Sequence, residues 1–475
     1  MNMCRSGLLD RISGLPDTVL HHILSLLPTK QVVQTCILSK RWISLWRYVT
    51  SLDFDQDLFL VQDPNRLWNS MKQGPIDFVK FVDSVMFLRD QLSNIQSLRL
   101  WFDEEQGNED MSMINTWISV AISRNIEVLD IKLYDSAEFI PRLFTCSPLK
   151  VLKLKSSYQK LNLPSAICLP SLQTLCLTGI SVEAEGLTKL ISSCSNLGTL
   201  ILDYCDISSP NDLFVISNPQ LETLIIKGHI PFIEIFAPRL VHFKIEGGDS
   251  KVSTCLIKSI SNFESLVDAD INIGVNSSRP TKQFLRALCS AKSLTFHSMF
   301  IVSFGNENFE RDTLQWIESP EAALEWIQFP FNNLKFLKLG TWFTDGEVPV
   351  INKLLRFSPT LETLVIKNDG VQELLEEKSL AENVPFEYKL SLLKSVEFLM
   401  FQGAENEVKF VKFFMNNAVK LEKLIIKSPN RISPNKKVLA EIKNISKLLL
   451  THPRLGNLSF DATSDDCTSV TCSFV

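Results

Sequence analysis

A short apolar motif, Leu-x-x-Leu-x-Leu, returns along the chain at a nearly fixed interval, and that periodicity constrains the fold more than any other feature. It reads NIEVLDI (125–131), PLKVLKL (148–154), PSLQTLCL (170–177), SNLGTLIL (195–202), PQLETLII (219–226) and PRLVHFKI (238–245). The first anchors are Ile126, Leu149, Leu172, Leu197, Leu221 and Leu240, at spacings of 23, 23, 25, 24 and 19 residues. Pairs such as Leu152 and Leu154, or Leu175 and Leu177, put two side chains on one face of a short strand. The leucine three positions earlier turns in behind that strand. One such unit cannot bury its apolar face alone, whereas stacked units bury each other's.

The interval lies in the leucine-rich-repeat range of roughly 20–29 residues. The expected architecture is therefore α/β, a solenoid with a curved parallel sheet and helices outside. NIQSLRL (94–100) reads as a first copy, ESLVDADI (264–271) and KSLTFHSM (292–299) as degraded copies, and NNLKFLKL (332–339) and PTLETLVI (359–366) as clean ones. Helical stripes lie between them. Leu187, Leu190 and Ile191 share one in 186–195, and Phe78, Val82, Val85 and Leu88 share another in 76–90. The tracts 158–170, 247–253 and 272–281 read as loops, as does the acidic run WFDEEQGNED (101–110).

Residues 10–50, DRISGLPDTVLHHILSLLPTKQVVQTCILSKRWISLWRYVT, spell three short helices. The first opens at Leu15-Pro16-Asp17, with proline suited to the first helical position and an acid to the first turn. Leu20, Ile23, Leu24 and Leu27 follow as one stripe, and Pro28 stops it. Thr29 is the expected N-cap of a second helix carrying Val32, Val33 and Cys36. Ser39 caps a third with Trp42, Leu45 and Trp46. So small a unit buries too little surface to be robust alone, and its apolar excess suits either self-packing or a groove on a partner.

This segment resembles an F-box of the plant type, LPxxxLxxILSxLPTK followed by CxLSKRWxxLW. Thr18 and Gln31 depart from it, since acids are common at both places. The resemblance implies docking onto the Skp-type adaptor, and through it a cullin, of a Skp–cullin–F-box (SCF) ubiquitin ligase. The residues carried over as adaptor-binding are Leu15, Pro16, Leu20, Ile23, Leu24, Leu27, Pro28, Val33, Trp42 and Trp46.

Residues 384–428 resemble the FBD module found at the C-terminus of plant F-box proteins with leucine-rich repeats. From the residues alone they read strand, turn at Gln402-Gly403, helix from Glu405, then a repeat-type strand. Val408, Val411, Met415 and Ala418 share the helix face, and Glu405 and Lys409 form an i,i+4 pair. A last helix is expected over 435–452, followed by a frayed tail, SDDCTSVTCSFV. Twelve Lys/Arg face six acids between 384 and 450. Phe410, Phe413 and Phe414 among those lysines are read as core rather than as a stacking platform for nucleic acid.

The domain reading is then an F-box at 8–54, a repeat solenoid at 76–370 and an FBD cap at 384–450. The implied function is the substrate-recognition subunit of the ligase, whose repeats tether a target protein. A repeat scaffold whose F-box engages no ligase is the alternative. Alternate strand positions point outward from the solenoid. On that basis the expected target-reading residues are Lys153, Lys155, Gln173, Thr199, Asp203, Thr223, Lys227, Lys338, Trp342, Thr363 and Lys367.

Catalytic chemistry is not legible. The sequence holds no GxSxG, GxxxxGK[ST], GxGxxG or HExxH, and glycine numbers only 17. Its 11 cysteines form no CxxC, so neither zinc ligation nor a thioester relay is expected, and no cofactor or metal is inferred. Cys146, Cys176 and Cys205 fall at apolar repeat positions. A net charge of -5 argues against general nucleic-acid binding. The N-terminal residues lack the apolar core of a secretory signal, and no run approaches 18 apolar residues. No membrane partner is expected, and the expected compartment is the cytoplasm or the nucleus.

Overall fold

The computed structural model describes residues 12, 14–60, 74–102, 111–133, 139–209, 213–228, 232–247, 257–260, 263–273, 282–303, 329–343, 347–369, 388–428, 444, 455–463 and 467–474. The chain divides into two compact units, residues 1–206 and 207–475.

The first unit begins with α1 (Asp17–Ser25), α2 (Thr29–Gln34) and α3 (Lys40–Leu45). It continues through β1 (Ser51–Asp55), α4 (Gln56–Leu60), α5 (Gly74–Leu88), β2 (Ser97–Trp101), α6 (Met111–Ser123) and β3 (Val128–Lys132). It ends with β4 (Val151–Lys160), β5 (Thr174–Glu183), α7 (Ala184–Ser193) and β6 (Thr199–Asp203). The six strands pair in parallel and in order, with Ser51, Ser97, Val128, Val151, Thr174 and Thr199 side by side.

That register stacks the repeat leucines. Leu52, Leu98, Leu129, Leu152, Leu175 and Leu200 form one buried row, and Ile95, Ile126, Leu149, Leu172 and Leu197 form another behind it. Each such side chain contributes roughly 1.5–3 kcal/mol on burial. The repeats are also clamped at the start of each strand. The carbonyl of Thr50 accepts N–H bonds from Gln96 and Ser97 (2.8 and 3.2 Å). Gln96 accepts from Glu127 and Val128, Lys150 from Gln173 and Thr174, and Gln173 from Gly198 and Thr199.

Several expectations are corrected here. The first strand of the sheet is Ser51–Asp55, so the sheet begins inside the segment assigned to the F-box. The tract 158–170 begins in strand, because β4 runs on to Lys160 through an irregularity after Lys155. Leu88, placed on a buried stripe, is exposed, while Phe78, Val82 and Val85 are buried as expected. Leu88 sits at the end of α5, where its carbonyl accepts from Arg47 Nε at 2.8 Å.

β7 (Asp206–Ser208) begins at the last residue of the first unit. The main sheet of the second unit is β9 (Thr223–Gly228), β11 (His242–Gly247), β13 (Asp268–Asn272), β14 (Ser293–Phe296), β15 (Phe336–Thr341), β16 (Thr363–Asn368), β17 (Ser395–Leu399) and β18 (Lys423–Lys427). All pair in parallel, so the two degraded copies are full members of the ladder. The supposed FBD strands, β17 and β18, continue the register of β16 without a break. Helices α8 (Lys282–Leu288), α9 (Ser298–Ser303), α10 (Glu347–Arg356) and α11 (Glu405–Asn417) lie between strands.

A second, three-stranded parallel sheet was not anticipated. It consists of β8 (Leu213–Ser217), β10 (Phe232–Phe236) and β12 (Ile257–Ile260). Here the 19-residue interval from Leu221 to Leu240 leaves little chain for a helix, and the extended form reaches further per residue. The C-terminal tail is not frayed. Cys467–Phe474 forms β20, antiparallel to β18, and Leu455–Thr463 forms β19 against β20. This pairing covers the edge of β18, whose backbone groups would otherwise be open. Of the helix expected over 435–452 only Asn444, which is helical, lies among the described residues, and most of 247–253, 272–281 and 101–110 lies outside them. Among the described residues no helix is long and apolar enough to cross a membrane.

Candidate functional site

The three N-terminal helices sort their apolar residues into two sets. Leu20 and Leu24 of α1 are wholly buried, with Val32, Trp42, Leu45, Trp46 and Val49 closing the same core. Pro16 is the N-cap of α1, and Arg41 fixes its start by donating to the Leu15 carbonyl (2.6 Å) and, through Nε, to Asp17 (2.9 Å). Ser39 holds the N-cap position of α3 but its side chain makes no capping bond, and Thr29 is not the N-cap of α2. Pro28 takes that place, and buried Thr29 accepts the Asp53 N–H at 2.7 Å, tying α2 to β1. Cys36 lies past the helix in a 3₁₀ turn.

The other apolar set faces outward. Ile23 is 40% exposed, Leu26 73%, Ile37 88%, Leu38 62% and Ile43 52%, with Val19 beside them on α1. The expected adaptor residues are thus divided. Pro16 and Ile23 are exposed, and Leu15, Leu27, Pro28 and Val33 are half-buried. Leu20, Leu24, Trp42 and Trp46 are corrected to core, because the bundle needs them to bury its own interior. Leu26, Ile37, Leu38 and Ile43, outside the expected adaptor set, are exposed as well. None of them belongs to the α1 stripe of Leu20, Ile23, Leu24 and Leu27.

The open face of the sheet in the first unit is polar and ordered. By register, Asp53, Arg99, Asp130, Lys153 and Cys176 lie in one row, and Asp55, Trp101, Lys132, Lys155, Thr178 and Asp203 in the next. Arg99 donates to both Asp53 oxygens at 3.1 Å and to Asp55 at 2.8 Å. Its guanidinium sits 3.7 Å from the centre of the Trp101 ring, whose Nε1 donates to Asp130 at 2.9 Å. Burial raises the Asp53 carboxyl above the ordinary value, against the pull of Arg99.

In the second unit the same face carries a chain of polar contacts. Lys244 Nζ lies 2.9 Å from Asp270, which also meets His297 Nε2 at 3.0 Å. Burial would raise Asp270, yet these two partners hold it below the usual carboxylate value. Lys427 pairs with Glu397 at 2.6 Å, and Lys367 with Asp369 at 2.9 Å.

Of the expected target-reading residues, Lys153, Lys155, Thr199, Asp203, Thr223, Lys227, Lys338, Thr363 and Lys367 all occupy outward strand positions. Two lie outside the strands. Gln173 immediately precedes β5, where its side chain is exposed and its carbonyl serves the backbone clamp. Trp342 follows β15, where its N–H donates to the buried Glu347 carboxylate at 3.1 Å. Cys176, read as apolar core, is half-buried on the outer row beside Thr178.

Thiols elsewhere are made less acidic by burial, Cys205 and Cys289 to about 11 and Cys194 to about 12. Phe410, Phe413 and Phe414 are buried, as read, with ring centres of 410 and 414 at 6.0 Å. No group of three or more metal-ligating side chains occurs among the described residues.

Comparison with known proteins matches residues 12–53 to the F-box domain and residues 90–448 to the LRR domain of the At1g61320/AtMIF1 family. Among curated relatives in Arabidopsis thaliana, FBD-associated F-box protein At5g60610 is 30% identical, over 86% of this chain and 97% of its own length. FBD-associated F-box protein At5g38590 is 30% identical over 88% of this chain and 93% of its own. F-box/FBD/LRR-repeat protein At1g78750 is 28% identical over 94% and 95%.

Proposed function

The chain belongs to the FBD-associated F-box proteins, which join an F-box to a leucine-rich-repeat domain, and from that premise we propose that it is the substrate-recognition subunit of a Skp–cullin–F-box ubiquitin ligase. The observation that carries this reading is the apolar surface of Ile23, Leu26, Ile37, Leu38 and Ile43 on a bundle that already has a closed core. Five large apolar side chains left in solvent by one three-helix unit suit a surface that a partner covers. An adaptor groove that takes amphipathic helices supplies one.

The work done is placement. The F-box holds the adaptor, and through it the cullin. The outer rows of the sheet hold the target, and a separate conjugating enzyme modifies the target's lysines. Joining two reactants on one scaffold replaces a bimolecular encounter with a nearly unimolecular one. This polypeptide performs no bond chemistry itself and works in the cytoplasm or the nucleus.

The test is capture of the full chain by a Skp-type adaptor, beside Ile23→Asp/Leu26→Asp. Both residues are exposed, so the variant keeps its core, and circular dichroism checks that it does. Capture that the variant loses supports the receptor reading. A folded wild-type chain that is not captured sinks it and leaves the scaffold reading.

A further inference from the structure

On the open face of the first unit the acids are largely engaged within the face, and two lysines are left over. Asp53 and Asp55 are spanned by Arg99. Asp130 lies beside Lys153 in register, yet its carboxylate accepts from Trp101 Nε1 instead. Lys153 and Lys155 are exposed, and neither side-chain ammonium has a hydrogen-bond or ion-pair partner among the described residues. Their neighbours on β5, Cys176 and Thr178, are small and leave them open to solvent.

The two lysines occupy alternate positions of one strand, about 7 Å apart along it. Side chains at i and i+2 of any extended chain share that spacing. We propose that this face takes an extended acidic segment of the target protein, with carboxylates at alternate positions set against Lys153 and Lys155. The inference rests on the receptor reading above and names the partner chemistry of its recognition face.

The flanking groups select a sparse acidic peptide over a polyphosphate. Asp130 and Asp203 stand on the strands beside the lysine strand and the one beyond β5. A nucleic-acid backbone, charged at every residue, would meet them as well as the lysines. Two exposed rings add apolar surface. Tyr158, further along β4, and Tyr204, just past β6, both have left-handed backbone (φ 60° and 49°). A non-glycine residue is disfavoured there. Gly179, at φ 59° on the strand between them, shows that glycine serves in such a place.

The test uses the full chain with its adaptor and reads the anisotropy of a short fluorescein-labelled peptide alternating Glu and Ser. The Glu peptide is expected to bind, the same peptide with Gln not to bind, and Lys153→Glu/Lys155→Glu to weaken binding by about tenfold. Raising the salt weakens it too, and Lys420→Glu, an exposed lysine of the second unit, leaves it unchanged. Equal binding by the double variant overturns the proposal. So does tighter binding of a phosphoserine peptide or of a single-stranded oligonucleotide. A chain that holds its adaptor but not the Glu peptide overturns this inference alone. A chain that binds the peptide but not the adaptor upholds the face and overturns the receptor reading.

Discussion

Asn368, on β16, donates its side-chain amide to the carboxylate of Glu407, 39 residues further on, at 2.9 Å. The same carboxylate accepts the N–H groups of Gln402 (3.0 Å) and Ala404 (2.8 Å). Ala404 is the N-cap of α11 and has no side-chain acceptor, so only the reciprocal half of a capping box is made. An earlier repeat uses the same device. Glu347, at the start of α10, is fully buried, and its carboxylate accepts from the Thr341 hydroxyl (3.2 Å) and the Trp342 N–H. A buried glutamate thus fastens a strand's exit to the helix that follows.

Glu407 makes the second unit sensitive to pH. Its carboxyl is raised above the ordinary 4.5, first by burial, with Asn368 and the backbone donors opposing. A raised folded-state value means that the folded chain holds the proton more tightly than the unfolded one. The associated stability is fully present below the unfolded value and is lost as pH rises through the folded one. Glu407→Gln removes this titration, but turns an amide N–H toward groups that themselves donate, costing about 1–3 kcal/mol. Denaturant unfolding across pH should show the wild type gaining on the variant as pH falls. Parallel profiles would defeat the assignment.

Gly179 is held by space as well as by its backbone angle. A Cβ built there would lie 2.2 Å from the Ser156 carbonyl oxygen, at φ +59°. At Gly198 the nearest atom is the Gln173 carbonyl oxygen at 3.9 Å. Gly179→Ala should cost at least about 1–3 kcal/mol, and Gly198→Ala less than about 1 kcal/mol. Thermal unfolding of the two variants side by side checks the contrast. Equal shifts would mean that β4 moves away freely.

The repeat core was legible because its signal is redundant. Ile126, Leu149, Leu172 and Leu197 recur at intervals of 23 to 25 residues, and each must be buried for the next to stack. β1 escaped notice because SLDFD lacks the upstream leucine and follows directly on the helices. Tyr158 and Tyr204 could not have been placed, since nothing in a tyrosine announces positive φ. The target face was half legible. Strand parity located Lys153 and Lys155, but parity assigns no face to Gln173, which precedes the strand. The F-box surface was least legible, because Leu24 and Leu26 are the same residue type and only the packed bundle separates them.

That separation yields its own experiment. Leu24 is wholly buried, so Leu24→Ala should cost about 2–5 kcal/mol and weaken adaptor capture only as far as the bundle unfolds. Leu26→Ala should change stability by less than about 0.5 kcal/mol while weakening capture of a folded chain. Melting curves and capture, measured on both variants, give opposite rankings if core and surface are assigned correctly. The same ranking from both measurements would reject the assignment.

The C-terminal strand offers the last prediction. β20 pairs antiparallel with β18 from Lys423↔Ser473 to Lys427↔Ser469, and so occupies the edge at which the parallel run ends. Ending the chain after Thr463 removes β20, and β19, which pairs with β20, loses its partner with it. β18, with Leu424 and Ile426 beneath it, then presents open N–H and C=O groups, a template for pairing with another chain. The truncated protein should form concentration-dependent oligomers on size exclusion, where the full chain does not. Because the F-box lies in the other unit, adaptor capture per folded molecule should be retained. A truncated chain that stays monomeric at high concentration would show that β18 needs no cover.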